Sequence, residues 1–305
     1  MAASAGAMIW RLAAGIIAPL LLALLAGCSD APAEPAEGAG PPSPLFYEIA
    51  SADGSVEGWM VGTIHALPAS VEWRTPAIET VVKDADLLVV EIAALDDGVA
   101  LARSFADLSR TPGLLPLEER LPAELRPRLA DMMARGDLVP AQFLGTETWA
   151  AALTLARVDA AGDPANGVDR ALIAEFEGRP VRELEGAAAQ LAIFDRLPEA
   201  QQRAMLAAVV RESAAAARDP ERLQRAWLKG DTATIEASTR EGVLADPAVR
   251  EALLTARNRR WAAALAPLLA EEPRPLIAVG TAHLVGPEGV PALLEAQGYR
   301  VRRIP

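Results

Sequence analysis

Two histidines are the whole imidazole supply of this 305-residue chain, and each closes the same tetrapeptide. Gly62-Thr63-Ile64-His65 lies near the start of the folded part, and Gly280-Thr281-Ala282-His283 near its end. Each follows a short apolar run, Trp59-Met60-Val61 in one case and Leu276-Ile277-Ala278-Val279 in the other. Neutral imidazole ligates metals and carries protons near neutral pH. One such histidine alone reads as a turn residue with a satisfied ring; two in matching strand exits point to a paired site. Glu91 is the third candidate. A carboxylate within Leu-Leu-Val-Val-Glu-Ile-Ala is costly unless it is paired, metal-bound or at a solvated strand end. His65, Glu91 and His283 make a ligand set with open positions, suited to zinc or another divalent ion. Such an ion acidifies bound water and polarises a carbonyl. The competing reading of Glu91 is an acid facing solvent at the end of its strand.

The positions of these residues follow from the elements around them. Leu45–Ile49 and Gly58–Val61 read as strands, with Asp53-Gly54 as a hairpin turn between them. Pro76–Asp86 reads as a short helix and Leu87–Ile92 as a buried strand. From about Pro122 to Leu269 the spacing is mainly helical. Helices are expected over 124–135, 147–158, 168–176, 187–194, 199–217, 220–228, 232–240 and 247–269, with a strand at Val181–Leu184. The end returns to strand, helix and strand at 276–279, 289–297 and 299–304. The expectation is therefore an α/β fold whose central sheet is built from both chain ends and brackets a large helical middle. Ligands of open α/β sheets sit beyond the carboxyl ends of the strands, and His65, Glu91 and His283 all follow such ends. Gly62 and Gly280 would let the backbone turn sharply or approach a ligand closely. Thr63 and Thr281 would fix those turns by bonding local backbone. Trp59 and Trp261 read as core.

Hydrophobic residues make up 51% of the chain, charged residues 23%, and the formal net charge is −12. An acidic chain without a basic run is a poor candidate for binding a nucleic-acid backbone. There is no His-Glu-x-x-His helix, no Gly-x-Ser-x-Gly elbow and no Walker loop.

The first 27 residues read as an export signal: Arg11, then an uncharged apolar stretch from Leu12 ending in Leu25-Ala26-Gly27-Cys28. Leu-Ala-Gly-Cys resembles the lipobox of bacterial lipoproteins. That resemblance implies cleavage before Cys28, the only cysteine, and lipidation of its thiol. Residues 28–44 then form a Pro-, Ala- and Glu-rich tether. The chain is expected outside the cytoplasm, membrane-anchored through Cys28, and at the outer membrane if the cell is Gram-negative, since Ser29 is not Asp. The folded domain spans 45–305.

Several further motifs occur in order: Leu88-Val89-Val90-Glu91, Gly167-Val168-Asp169, Val181-Arg182-Glu183-Leu184-Glu185 with Gln190 after it, Trp227-Leu228-Lys229-Gly230-Asp231, and Arg257-Asn258-Arg259-Arg260-Trp261. Together with the two Gly-Thr-x-His units, this series resembles the TraB/PrgY/GumN family, related to the Tiki metalloproteases. Ala256 departs from it, where members often carry Glu. The resemblance implies two pseudo-symmetric Gly-x-x-His halves and, from the Tiki relatives, metal-dependent peptide cleavage with manganese or cobalt. Asp169 or Glu185 would orient a ligand or accept a proton; otherwise Asp169 is a charge at a helix start and Glu185 a surface acid. Arg257 would stabilise an oxyanion or form a salt bridge. Asn258 is a polar site residue or a helix-face amide. The leading expectation is a hydrolase of peptides or proteins using Mn, Co or Zn. Its rivals are a lipoprotein that binds a peptide, signal or haem without turnover, and a metal-independent hydrolase with a histidine general base. The sequence leaves the oligomeric state open.

Overall fold

The computed structural model describes residues 41–271 and 274–305. The signal segment, Cys28 and the tether up to residue 40 lie outside the described residues. In chain order the elements are β1 (Phe46–Ala50), β2 (Val56–Thr63), α1 (Pro76–Asp84), β3 (Leu87–Val90), α2 (Gly98–Leu108), α3 (Arg126–Arg135) and α4 (Thr148–Ala156). There follow α5 (Val168–Glu175), β4 (Val181–Glu183), α6 (Ala187–Asp195), α7 (Glu199–Ala216), α8 (Arg222–Lys229), α9 (Thr232–Ser238) and α10 (Pro247–Arg250). The chain closes with α11 (Ala256–Glu271), β5 (Pro275–Gly280), α12 (Val290–Glu295) and β6 (Arg300–Arg303).

The six strands form one mixed sheet in the order β4-β3-β5-β2-β1-β6. As expected, it draws strands from both chain ends, and β4 joins it from the helical middle. β4, β3, β5 and β2 run parallel, while β1 is antiparallel to both β2 and β6. Four parallel carboxyl ends therefore share one edge. Thr63 of β2 lies directly opposite Gly280 of β5, so chain segments 217 residues apart in sequence leave the sheet side by side.

Helices cover both faces of the sheet, which is why its central strands read as unbroken apolar runs. Leu88, Val90, Leu276, Ala278, Trp59 and Val61 pack on one side with α1, α5 and Trp227. Leu87, Val89, Ile277, Val279 and Met60 pack on the other with Trp261, Leu265, Leu269 and Leu294. A separate core in the helical middle gathers around Trp149 and α7.

Two features depart from the expected elements. The periodic segment 247–269 is not one helix: a π-helical turn, Glu251–Thr255, separates α10 from α11. Such turns recur at functional sites, and this one directly precedes Arg257 and Asn258. In addition, α2 occupies a stretch where no element was expected, although Leu101, Phe105 and Leu108 recur at helical spacing and pack on the middle core.

Trp227 ties the first motif to this frame. Its indole Nε1 donates to the carbonyl of Gly62 at 2.8 Å, and the ring is fully buried. Trp227→Phe keeps most of the packing and removes the donor, so it is expected to cost about 1–3 kcal/mol in urea unfolding.

Candidate active site

The two motif histidines enter the site from neighbouring strands, and each ring is held by a different helix. α5 begins at Gly167, where a Cβ would stand 2.5 Å from the His65 carbonyl oxygen. Only a glycine lets the helix start so close to His65, and Val168 N–H then donates to the Ile64 carbonyl. This contact puts Asp169, in the first turn of α5, against the imidazole. The Asp169 Oδ2 accepts from His65 Nδ1 at 2.7 Å, and its Oδ1 accepts from Thr63 Oγ1 at 2.6 Å. Thr63 thus bonds a residue 106 positions away rather than the local backbone expected of it. Holding Nδ1–H on a carboxylate leaves His65 Nε2 as the free nitrogen. Burial alone lowers the basicity of His65, but the Asp169 charge and hydrogen bond outweigh it and raise the pKa.

His283 is held in the same way by an amide. Its Nδ1–H donates to Asn258 Oδ1. The amide is oriented by its own Nδ2, which donates to the Glu288 carbonyl at 2.7 Å. His283 packs on the Trp261 ring with centroids 4.3 Å apart. Burial, helped by the Arg257 charge, lowers its pKa to about 3, so the ring is a neutral imidazole.

Glu91 stands between them. Oε1 accepts from Gly280 N–H at 2.8 Å. Oε2 accepts from Arg257 Nη2 at 2.6 Å and from Gln190 Nε2 at 3.0 Å. Its carbonyl receives the N–H groups of Glu185 and Gly186, which seats the strand end. Burial pushes the carboxyl up, but Arg257, the two histidines and the Gly280 N–H together bring its pKa down to about 2. Glu91 is 5% exposed, so it is a buried paired carboxylate and not a solvent-facing strand end.

Arg257 is more fully engaged than a free oxyanion donor would be. Nε donates to Glu185 Oε2, Nη2 to Glu91 and Glu185, and Nη1 to the Leu253 carbonyl, with His283 Nε2 also 3.3 Å from Nη1. All three guanidinium nitrogens have protein acceptors, and Arg257 lies over the Trp261 ring. The salt-bridge reading of Arg257 is the one the geometry shows. Glu185 touches neither histidine; it anchors Arg257 and Arg260. These are positioning roles.

The motif glycines act through space and not through unusual backbone angles. A Cβ on Gly62 would meet Thr281 Oγ1 at 2.6 Å. A Cβ on Gly280 would stand 3.2 Å from Glu91 Oε1, 3.6 Å from His283 Cδ2 and 3.7 Å from His65 Nε2. The three chemical candidates thus converge on the open face of one glycine. Beside them is a small cavity lined by His65, Glu91, Asp169, Gln190, Ile92 and Leu95, with about 10 Å³ open to a water centre, room for roughly one water. Gln190, Ile92 and Leu95 complete a site for which the sequence singled out only ionisable and amide groups. Gln190 was visible as a motif position; the two apolar walls carry no signal of their own.

Among the described residues, no three His, Cys, Asp or Glu side chains stand in metal-ligand geometry as they are. The donor chemistry nonetheless fits a divalent ion. His65 and His283 both have Nδ1 anchored, the usual support for metal-bound imidazole; His65 Nε2 faces Gly280, whereas His283 Nε2 lies 3.3 Å from Arg257 Nη1, and Glu91 is ionised. His65 and Glu91 face the cavity directly. His283 would complete the set once Arg257 Nη1 yields its Nε2. Gly280→Ala tests this fit. The backbone at Gly280, φ −50°, suits alanine, so a stability loss of about 1–3 kcal/mol is expected from crowding. Any divalent-ion affinity seen by titration calorimetry is expected to fall by at least about tenfold.

Fold and site together define a mixed α/β protein with a buried imidazole–carboxylate centre at the carboxyl edge of its parallel strands. The model of the TraB/PrgY/gumN family matches residues 45–303, and the chain belongs to that family. No curated protein and no solved structure matches it.

Proposed function

We propose that this protein is a metal-dependent hydrolase of peptides or other acyl substrates, exported and anchored to the membrane through Cys28. The observation that carries the reading is the convergence of His65 Nε2, Glu91 and His283 on Gly280, with both imidazoles anchored at Nδ1. His65, Glu91 and His283 would hold the ion. When bound, it supplies an acidified water and a Lewis acid for the substrate carbonyl. Asp169 and Asn258 fix the ring tautomers and aim Nε2. Gly280 N–H, Gln190 and Arg257 hold Glu91 in its charged form. Ile92 and Leu95 keep bulk water from the centre, which strengthens its electrostatics.

A second reading has its own support. The Asp169–His65 pair borders the cavity and His283 does not. Here His65 Nε2 would take a proton from a water in the cavity as its oxygen attacks the acyl carbon, and return it to the leaving amine or alcohol as the acyl bond breaks, without a metal. The test is turnover of fluorogenic peptide and ester pools by the full-length protein after chelation and after addition of Mn, Co or Zn. Activity restored by metal supports the proposal. Activity that survives chelation favours the second reading. Metal binding without turnover on any pool would move the protein to the class of binding lipoproteins.

A further inference from the structure

The site is closed. His65, Glu91, Asp169 and Gln190 are each 5–7% exposed, and His283 is fully buried. Beside these groups there is room for about one water, so an acyl group reaches them only if part of the wall gives way. Most of that wall belongs to the sheet edge and to helices α5 and α6. Ile92 and Leu95 do not: they lie in the irregular connection from β3 to α2, residues 91–97. Leu95 is 4% exposed although its neighbours Asp96 and Asp97 are exposed, so the connection dips one apolar side chain into the site and returns to the surface. Ile92 and Leu95 also pack into the core of the helical middle, and two polar contacts pin the connection to the frame. Ala93 N–H donates to Glu183 Oε2 at 3.1 Å, and Asp96 pairs with Arg170. The Asp96 side chain is 80% exposed, and such pairs are weak. Arg170 directly follows Asp169, the residue that holds His65.

We propose that residues 92–97 of this connection are the substrate door of this site, with Leu95 as its plug and the Asp96–Arg170 pair as its latch. Leu95 and Asp96 are then access-determining residues, and the group that takes the place of Leu95 on entry is an apolar part of the substrate. The proposal concerns access and is independent of which hydrolytic reading holds.

The two histidines give a direct readout. The full-length protein, without a histidine tag, is treated with diethylpyrocarbonate, and acylation of His65 and His283 is followed by peptide mass mapping. In the wild type His65 is expected to react slowly and His283 not at all. Asp96→Ala is expected to speed His65 acylation about two- to fivefold, the range an exposed ion pair can supply. Leu95→Ala is expected to speed it more. Both should leave the His283 rate unchanged, and Asp96→Ala should also leave the unfolding midpoint unchanged. An unchanged His65 rate in Asp96→Ala and Leu95→Ala overturns the door. So does acceleration of both histidines in parallel, which would report general loosening. If Leu95→Ala folds poorly, Asp96→Ala alone decides.

Discussion

Arg257→Met is expected to destabilise the protein by about 3–5 kcal/mol, the largest single effect we foresee outside the main core. The guanidinium is 1% exposed and pairs with Glu91 and Glu185, both nearly buried. Methionine fills much of the same volume but leaves two carboxylates without their cation. Removing one partner of a buried pair is costly because the remaining charge stays desolvated. Arg260 still reaches Glu185, so Glu91 bears most of the loss. Its carboxyl is then expected to titrate well above about 2, because Arg257 is the largest of the influences that lower it. Urea unfolding at neutral pH reads the stability change, and a cost below about 1 kcal/mol would mean that Arg257 is not the keystone of the centre.

Glu91→Gln is expected to be nearly as severe although it is isosteric. Both oxygens of Glu91 accept: one from Gly280 N–H, the other from Arg257 and Gln190. Whichever way the amide turns, its NH2 group faces a donor. The expected cost is about 2–4 kcal/mol, together with loss of metal binding, because the one anionic donor of the proposed set is gone. The pH dependence separates this from a packing effect. In the wild type Glu91 has a folded pKa of about 2 against an ordinary 4.5. A carboxyl lowered by folding stabilises fully above its unfolded value, and that contribution is lost as pH falls through the folded value. The gap in unfolding free energy between wild type and Glu91→Gln is therefore expected to be widest above about pH 4.5 and to narrow towards pH 2. A gap that does not vary with pH would show that the charge of Glu91 contributes nothing.

The sequence displayed the reacting groups better than their supports. The paired Gly-Thr-x-His units and the acid in Leu-Leu-Val-Val-Glu-Ile-Ala are local patterns, and the parallel register of β2, β3 and β5 makes them neighbours in space. The roles of Asp169 and Asn258 depend on helix starts meeting strand ends, and only the family resemblance raised them above ordinary helix residues. Arg257 was legible as a residue type but not as a saturated one, since its carboxylate partners lie 72 and 166 positions away. The π-turn was hidden because one added residue in a helical turn scarcely disturbs the apolar spacing of 247–269. Helix α2 was legible in the spacing of Leu101, Phe105 and Leu108, but it lies between the acid strand and the helical middle and was not among the expected elements. Thr63 illustrates the same limit: a motif threonine at a strand exit reads as a local cap until the fold brings an aspartate to it.

The central claim is that His65, Glu91 and His283 hold one divalent ion. Its most direct test is metal content by mass spectrometry on the untagged full-length protein after reconstitution with Mn, Co or Zn, beside His65→Ala and His283→Ala. The account predicts near-stoichiometric metal in the wild type and its loss in both variants, with all three chains folded. Folded wild-type protein that takes up no metal under any of these conditions, or retains it when either histidine is removed, would contradict the account.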